Sequence, residues 1–443
     1  MDQGILDRIA AWGFRFSFTH RGERDIASLP FSIRRLRDKA RKFAEREIRP
    51  RALKLDSKER TQFDWEIARI GAREGWLGMV VPIFFGGNYG PFEMRYGMLS
   101  VAVIMEEFCR ACSGIGLIFG AHGLGLAPIL LSFNWRLWRR YFTPMVESWS
   151  TDNPEIAAFA ITEPGAGSDA EDPVGGAKAK LVSFASRALG GWRLNGRKCF
   201  ISNGSVASLF TVFASVEKRE GVKAWTCFMV KRGQRGFSIG RVEDKLGQRA
   251  SPAAELVFDD VFVSDEDVVW PEKTGWDLNT FTLDASRGPV GAIALGIAQG
   301  AYDRAFDYCL ETRRNGAPSF RRSEGPLIEQ GWIRQALGEM AAKLEAARSL
   351  VYRACSVFPP SGKLSAMAKS LSSDVGMEVC ARCVEILGPE GLERDNIVEK
   401  HYRDAKLCQI YEGTNQINRL RIMEVLEEEH KTPLAKRWWS GLF

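Results

Sequence analysis

Three short segments carry side chains that could do chemistry together. Near the C-terminus, Ile410-Tyr411-Glu412-Gly413-Thr414-Asn415-Gln416-Ile417 sets a carboxylate beside a glycine, where the chain can bend and project Glu412 into a cleft as a general base. Its bland alternative is a surface Glu at a helix end. Far upstream, Ala158-Phe159-Ala160-Ile161-Thr162-Glu163-Pro164-Gly165-Ala166-Gly167-Ser168-Asp169 has two glycines that let backbone N–H groups approach a ligand, followed by a hydroxyl. Such a loop can hold a phosphate or a flavin edge, although alone it is an ordinary tight turn. About 30 residues later, Gly196-Arg197-Lys198-Cys199-Phe200-Ile201-Ser202-Asn203-Gly204 presents an aromatic and a small hydroxyl at a strand end.

A chain of 443 residues must position these segments, too many for one ordinary core, so two or three cooperating layers or domains are expected. Hydrophobic residues make up 45% and charged ones 26%, with 18 Pro and 43 Gly dispersed, which is a globular rather than a disordered composition. The net charge of +6 suits a polyanionic ligand, but there is no basic run of the kind a nucleic-acid binder carries. Asp2 and Asp7 near the start argue against a secretory signal peptide. Apolar stretches such as Val290–Ala298 are broken by Gly and fall short of the roughly 18 residues of a membrane span, so a soluble, cytoplasmic chain is expected. Nine cysteines in a chain this long make no disulfide framework. The pairs Cys109/Cys112 and Cys380/Cys383 could offer four thiolates to a metal. They lie in helical patterns without the Gly-bearing turns of zinc ribbons, and buried structural thiols with no metal are expected.

Helical spacing marks one amphipathic helix over Phe31–Leu55, then helices near Thr61–Glu74, Met94–Cys112 and Ile115–Phe133. The stretch Ser113–Leu131 is so apolar that burial on all sides is expected. From Ala157 to Trp270 the pattern becomes short strands: Trp192–Leu194 and Lys198–Ile201 around an Asn195-Gly196 hairpin turn, then Leu209–Val216, Trp225–Val230, Phe237–Val242 and Glu255–Val263. After Gly275 helices return, most clearly over Ile333–Val351.

In this order, inside a helix–strand–helix chain, the three segments resemble the acyl-CoA dehydrogenase family. Supporting motifs are Leu246-Gly-Gln-Arg249-Ala-Ser251 with Glu255–Val263, Asp284-Ala-Ser-Arg287, Gly388 and Gly391, and Val398–Lys406; the resemblance covers about residues 30 to 427. It implies an α+β fold: an N-terminal helical domain (1–156, with 1–29 an extension), a central β-barrel domain (157–272), a C-terminal four-helix bundle (273–430) and a basic, aromatic tail (431–443). FAD would lie between the last two domains and be completed by a neighbouring subunit. Carried over by position, Phe159, Ile161, Thr162, Gly167, Ser168, Phe200 and Ser202 line the flavin, Thr414 and Gln416 contact FAD, and Arg313 and Gly391 belong to the cofactor site. Ser168, Leu283, Asp284, Arg287, Tyr411 and Gly413 belong to the substrate site.

Glu412 matches the family's catalytic base, abstracting the α-proton of an acyl-CoA thioester while the β-hydride passes to flavin N5, giving a trans-2-enoyl-CoA. Some relatives place the base on the helix before Arg287; here that position is Ser286, which cannot serve. Arg287 would brace that helix near Glu412. The implied partners are acyl-CoA and an electron-transfer flavoprotein, in a homotetramer, with acyl carrier protein as another possible carrier. Departures fall at Arg313-Arg314-Asn315-Gly316, Glu329-Gln330-Gly331-Trp332, Glu385 and Pro389, in the region that contacts a neighbour's FAD. A carboxylate at 385 near a pyrophosphate is repulsive unless paired or protonated. This keeps a heteromer open, in which the chain completes a partner's FAD site, beside the homomer whose basic loop around Arg321 and Arg322 contacts the pyrophosphate. An acyl-CoA oxidase of the same fold is the enzymatic alternative. The tail Lys436–Phe443 could touch a membrane surface or a partner, or pack on its own subunit.

Overall fold

The computed structural model describes residues 29–57, 63–91, 96–171, 179–218, 220–311 and 326–431. Arg313, the basic loop around Arg321 and the C-terminal tail lie outside these residues. The first helical run is α1 (Phe31–Phe43), which widens into a π turn at Ala44–Ile48, tightens to a 3₁₀ turn at Arg49–Arg51 and ends with Ala52–Asp56. The expected single helix is thus interrupted where Pro50, which lacks an N–H and crowds the carbonyl four residues back, forces the ladder to re-register. Helix α2 (Trp65–Arg73) begins at Asp64, whose side chain accepts from the N–H groups of Glu66 and Ile67.

Helix α3 spans Leu99–Leu131, and its one non-helical residue, Cys112 (φ −163°, ψ 111°), breaks it where the sequence pattern separates two helices. By length and composition this helix is apolar enough to cross a membrane, which corrects the expectation that no stretch is. Most of its side chains are instead covered by the protein's own elements, but one face of its second half, Leu117, Gly120, Leu124, Ala127 and Leu130, is only half-buried, so the expected burial on all sides does not hold. Helix α4 (Trp135–Ser148) follows, capped by Asn134.

Seven strands come next: β1 (Ala157–Ala160), β2 (Phe184–Ala188), β3 (Gly191–Ser202), β4 (Leu209–Ser215), β5 (Trp225–Lys231), β6 (Phe237–Val242) and β7 (Ala253–Ser264). They form one sheet in the order β1-β4-β2-β3-β7-β6, with β5 on the other side of β4. Asn195-Gly196 is not the hairpin turn that its sequence suggests. It lies inside the continuous strand β3, at a register shift against β7 between Leu194 and Gly196. The turn is Leu189-Gly190, between β2 and β3. The extra residue of this shift is on β7, where the three steps from Phe258 to Val261 face two on β3 and Asp260 takes φ +55°; opposite it Gly196 (φ +138°) keeps β3 continuous, and a Cβ there would come 2.5 Å from the Ser183 Cα. The sheet encloses its own core of Trp192, Leu194, Phe210, Val212 and Phe228, while Phe159 and Phe213 join the helical core on the opposite face.

The chain closes with helices α5 (Gly275–Glu311), α6 (Gly331–Cys355), α7 (Gly362–Leu387), α8 (Ile397–Cys408) and α9 (Asn415–Lys431). In α6 the buried residues Ile333, Ala336, Leu337, Met340, Leu344, Ala347 and Val351 follow the expected stripe. Helix α5 crosses α3 closely at Gly296, where a Cβ would stand 2.2 Å from the Glu106 carbonyl oxygen. The three regions meet at buried Asp404 on α8, which accepts from Ser113 Oγ of α3 (2.7 Å), the Gln248 N–H of the β6–β7 connection (2.5 Å) and Lys400 Nζ (2.5 Å). The four cysteines of the Cys-x-x-Cys pairs are buried, three in helical backbone and Cys112 at the break in α3, and burial pushes their thiols up.

Candidate active site

A cavity of about 850 Å³ lies between α3, α5, the loop after β1, the end of β3 and the segment after α8. Its wall includes Phe159, Ile161, Thr162, Gly167, Ser168, Phe200, Ser202, Leu283, Tyr411, Glu412, Gly413 and Thr414, so the structure gathers the three sequence segments in one place.

Glu412 follows the end of α8 with φ +56°, and Gly413 continues in the left-handed region at φ +75°. A non-glycine residue there costs on the order of 1–3 kcal/mol and persists only when its surroundings hold it. They do: Asn418 Nδ2 donates to the carbonyls of Glu412 (3.3 Å), Gly413 (2.9 Å) and Thr414 (3.0 Å), and buried Lys369 Nζ donates to Gly413 O (2.7 Å) and Asn415 Oδ1 (2.9 Å). The bent backbone turns the half-buried carboxylate to α5, where Ser286 Oγ donates to Glu412 Oε2 at 3.0 Å. Ser286 therefore stands at the carboxylate as a donor.

Arg287 is buried one residue on and reaches the Glu412 carbonyl through Nε (3.4 Å) and Asp284 Oδ1 through Nη1 (3.3 Å). Burial pushes the Asp284 carboxyl up, against the pull of Arg287 and Arg421. Neither Asp284 nor Arg287 is on the cavity wall; both stand behind it. Burial raises the Tyr411 phenol well above its ordinary value, and its neutral hydroxyl accepts from Gln248 Nε2 at 3.1 Å.

Across the cavity, Ser168 Oγ accepts from the Thr414 N–H at 3.0 Å and joins two segments 246 residues apart. The loop carrying Ile161 and Thr162 is fastened from below by Lys198, fully buried in β3, whose Nζ donates to Ile161 O (2.9 Å) and Glu163 Oε1 (2.7 Å). Burial works against the Glu163 carboxylate, but Lys198 and the N–H groups of Val182 and Ser183 outweigh it and hold the carboxyl below the usual range. Two residues past Lys198, a register shift between Lys198 and Ile201 puts Phe200 at φ +57° and leaves the residue 59% exposed, on the cavity wall. A Cβ on Gly167 would meet nothing within 4 Å. An exposed aromatic face, an open glycine loop and converging hydroxyls suit an apolar ring with a polar edge, which a flavin is.

Two expected cofactor positions lie off the wall. Gln416 is exposed on the first turn of α9, and Gly391 is buried in a 3₁₀ turn, where a Cβ would stand 2.7 Å from the Val384 carbonyl oxygen. The sequence analysis did not single out Lys198, Lys369, Asn418 or the contact made by Ser286. A signal existed for Lys198, since strand alternation puts it on the inward face with Trp192 and Leu194. Lys369 is likewise a lone charge in the small, apolar run Ala366-Met-Ala-Lys369-Ser370. Replacing it by Met removes a charged donor from two buried acceptors that keep only Asn418 Nδ2 and Ser373 Oγ, at about 1.5–3 kcal/mol. Lys369→Met is expected to lower the unfolding temperature and to loosen the bent backbone that turns Glu412 onto the wall; thermal unfolding beside amide hydrogen exchange at Glu412 and Gly413 checks this.

Domain profiles of the acyl-CoA dehydrogenases match along the chain: the N-terminal domain at residues 32–148, the middle domain at 158–261 and the C-terminal domain at 273–427. Among curated proteins, the chain is 35% identical over 390 residues to a cyclohex-1-ene-1-carbonyl-CoA dehydrogenase of Geobacter metallireducens, covering 86% of this chain and 94% of the relative. It is 33% identical over 391 residues to a short-chain acyl-CoA dehydrogenase of Clostridium acetobutylicum, with 87% and 96% covered. The solved butyryl-CoA dehydrogenase of Megasphaera elsdenii superposes with a TM-score of 0.80 at 31% identity, covering 90% of this chain and 98% of that one.

Proposed function

The chain belongs to the acyl-CoA dehydrogenase family of FAD-binding oxidoreductases, and from that premise we propose that it introduces a trans double bond between Cα and Cβ of an acyl-CoA thioester, with Glu412 as the base. The observation that carries this reading is the Glu412 carboxylate, turned by a strained, well-held backbone onto the wall of a cavity whose opposite side fits a flavin. Glu412 takes the α-proton on a carboxylate oxygen, and Ser286, donating to Oε2, fixes its rotamer. The backbone N–H of Glu412 donates to the thioester oxygen and stabilises charge that develops there as the proton leaves. Bound FAD supplies the acceptor for the β-hydride, so one proton and one hydride leave the substrate as the double bond forms. The apolar α3 and α5 walls exclude water from the carboxylate, which favours proton abstraction from so weak an acid. Two electrons then pass to an electron-transfer flavoprotein, in the cytoplasm.

The assembly in this reading is a homotetramer. Glu385, repulsive to a neighbour's pyrophosphate if left alone, is paired with Arg382 (Nη1 to Oε2, 2.6 Å), which supports the homomer over a heteromer. The protein purified alone is expected to be a tetramer with one FAD per chain, by light scattering and absorbance. Its flavin spectrum should bleach with an acyl-CoA thioester under anaerobic conditions and recover faster with electron-transfer flavoprotein than with air. A colourless protein that takes up no FAD overturns the proposal, and faster recovery in air marks an oxidase.

A further inference from the structure

The cavity continues well past Glu412, and its far wall has a uniform chemistry. On the second half of α3 the half-buried residues are Leu117, Gly120, Leu124, Ala127 and Leu130, spaced as one helical face, and all line the cavity. At a rise of 1.5 Å per residue that face runs for roughly 20 Å. Opposite it, α5 lines the cavity from Ser286, at the carboxylate, through Pro289 and Val290 to Ile293, about 10 Å further along the helix. Every charged residue on the described wall, Asp169, Lys245, Lys406 and Glu412, comes from the loop after β1, the β6–β7 connection or the 406–414 segment. None comes from α3 or α5. Met79, Met98 and Met105 contribute flexible side chains to the same wall, which can close around varied apolar shapes.

Gly120 lets Met105 close up against the second half of α3. A Cβ there would lie 2.8 Å from Met105 Cε, so a side chain at 120 must displace the methionine tip or project into the cavity itself, and either narrows the far end. The volume fits this depth: 850 Å³ stands near the upper end of the roughly 300–1,000 Å³ typical of small-molecule sites, room for a flavin ring and a sizeable second group together.

We propose that the acyl group is a bulky, uncharged hydrocarbon, larger than butyryl, and that Gly120 with Met105 sets this specificity. The inference rests on the acyl-CoA dehydrogenase reading and adds the substrate class. A short acyl group leaves the far apolar wall unfilled, and a terminal carboxylate meets no cation among its described residues.

The test uses the holoenzyme with butyryl-CoA, octanoyl-CoA, cyclohexanecarbonyl-CoA and glutaryl-CoA, following flavin bleaching anaerobically. Calorimetry with the redox-inert thioethers S-octyl-CoA and S-butyl-CoA adds a readout that needs no turnover. Octanoyl-CoA or cyclohexanecarbonyl-CoA is expected to exceed butyryl-CoA in kcat/KM by about tenfold or more, the scale on which apolar pockets discriminate methylene groups. In Gly120→Leu the ratio of octanoyl to butyryl kcat/KM, and the matching ratio of thioether affinities, should each fall by about tenfold. Leucine is a better helix former than glycine, so α3 is retained, and Gly120→Ala gives a milder step in the same direction. Preference for butyryl-CoA or glutaryl-CoA, or equal losses on all thioesters in both variants, overturns the inference and leaves the dehydrogenase reading standing. Bleaching by none of the four overturns both.

Discussion

Glu412→Gln is expected to slow thioester-driven flavin bleaching by about 10²–10⁴-fold, the usual contribution of a positioned general base, with FAD content and unfolding temperature close to those of the parent. The amide keeps the shape of the carboxylate and can still accept from Ser286 Oγ, so the held backbone at 412 and 413 has no reason to relax. What it loses is the capacity to take a proton. Ser286 cannot supply this, because a hydroxyl donating to residue 412 from α5 is far too weak a base. A redox-inert thioether should bind the variant with nearly the parent affinity, which places the loss in kcat rather than in binding. Rapid-mixing absorbance under anaerobic conditions measures it, and a variant that bleaches at the parent rate removes Glu412 as the base.

Lys198→Met should be the most damaging substitution to stability among those considered. It strands the Glu163 carboxylate, buried at 2% exposure, without its ammonium partner, and breaking a buried pair from one side costs about 3–5 kcal/mol. It also releases the Ile161 carbonyl. Because that loop carries Thr162 on the cavity wall, FAD should dissociate more readily, seen as free flavin fluorescence below the unfolding temperature. The double variant Glu163→Gln/Lys198→Met is expected to recover part of the loss, since a neutral amide costs less to bury and can still accept from the N–H groups of Val182 and Ser183. The pair also predicts an acid limb. The folded protein holds the Glu163 carboxyl below its usual range, so it binds that proton more weakly than the unfolded chain does. The stabilisation is complete above the unfolded value of about 4.3 and is lost as pH falls through the lower folded value. Glu163→Gln should flatten that limb in denaturant unfolding measured against pH. An unchanged limb, or a Lys198→Met protein as stable as the parent, contradicts the account.

Local pattern was enough for the order helices, strands, helices, while the three segments that meet in the cavity were joined only through their resemblance to a family. Periodicity is written into neighbouring residues, so the stripe of α6 and the edges of β4, β5 and β6 are readable without any partner. The same locality misled at Asn195-Gly196. Two residues competent for positive φ state what the backbone can do, while the pairing of β3 with β7 decided that β3 runs straight through and that the bulge falls on β7 opposite it. Pro50 announced a disturbance, but only the packed helix shows it absorbed as a π turn followed by a 3₁₀ turn.

The site divides along the same line. Residue types beside glycines and strand ends left each segment readable as an ordinary turn or helix end; Glu412, Thr162, Ser168, Phe200 and Thr414 were singled out through the resemblance of the three segments taken together. Tertiary structure alone brought Ser286 to a carboxylate 126 residues away, Lys369 to the Gly413 carbonyl 44 residues away and Lys198 beneath the loop at Ile161. It also set Asp284 and Arg287 behind the wall rather than on it, and made Gly120 the seat of the Met105 side chain on that wall rather than one more small helical residue. The reason is physical: a side chain's type and its local backbone are properties of a few consecutive residues. Its partner, its burial and the volume it leaves open belong to elements that meet only after the chain has closed.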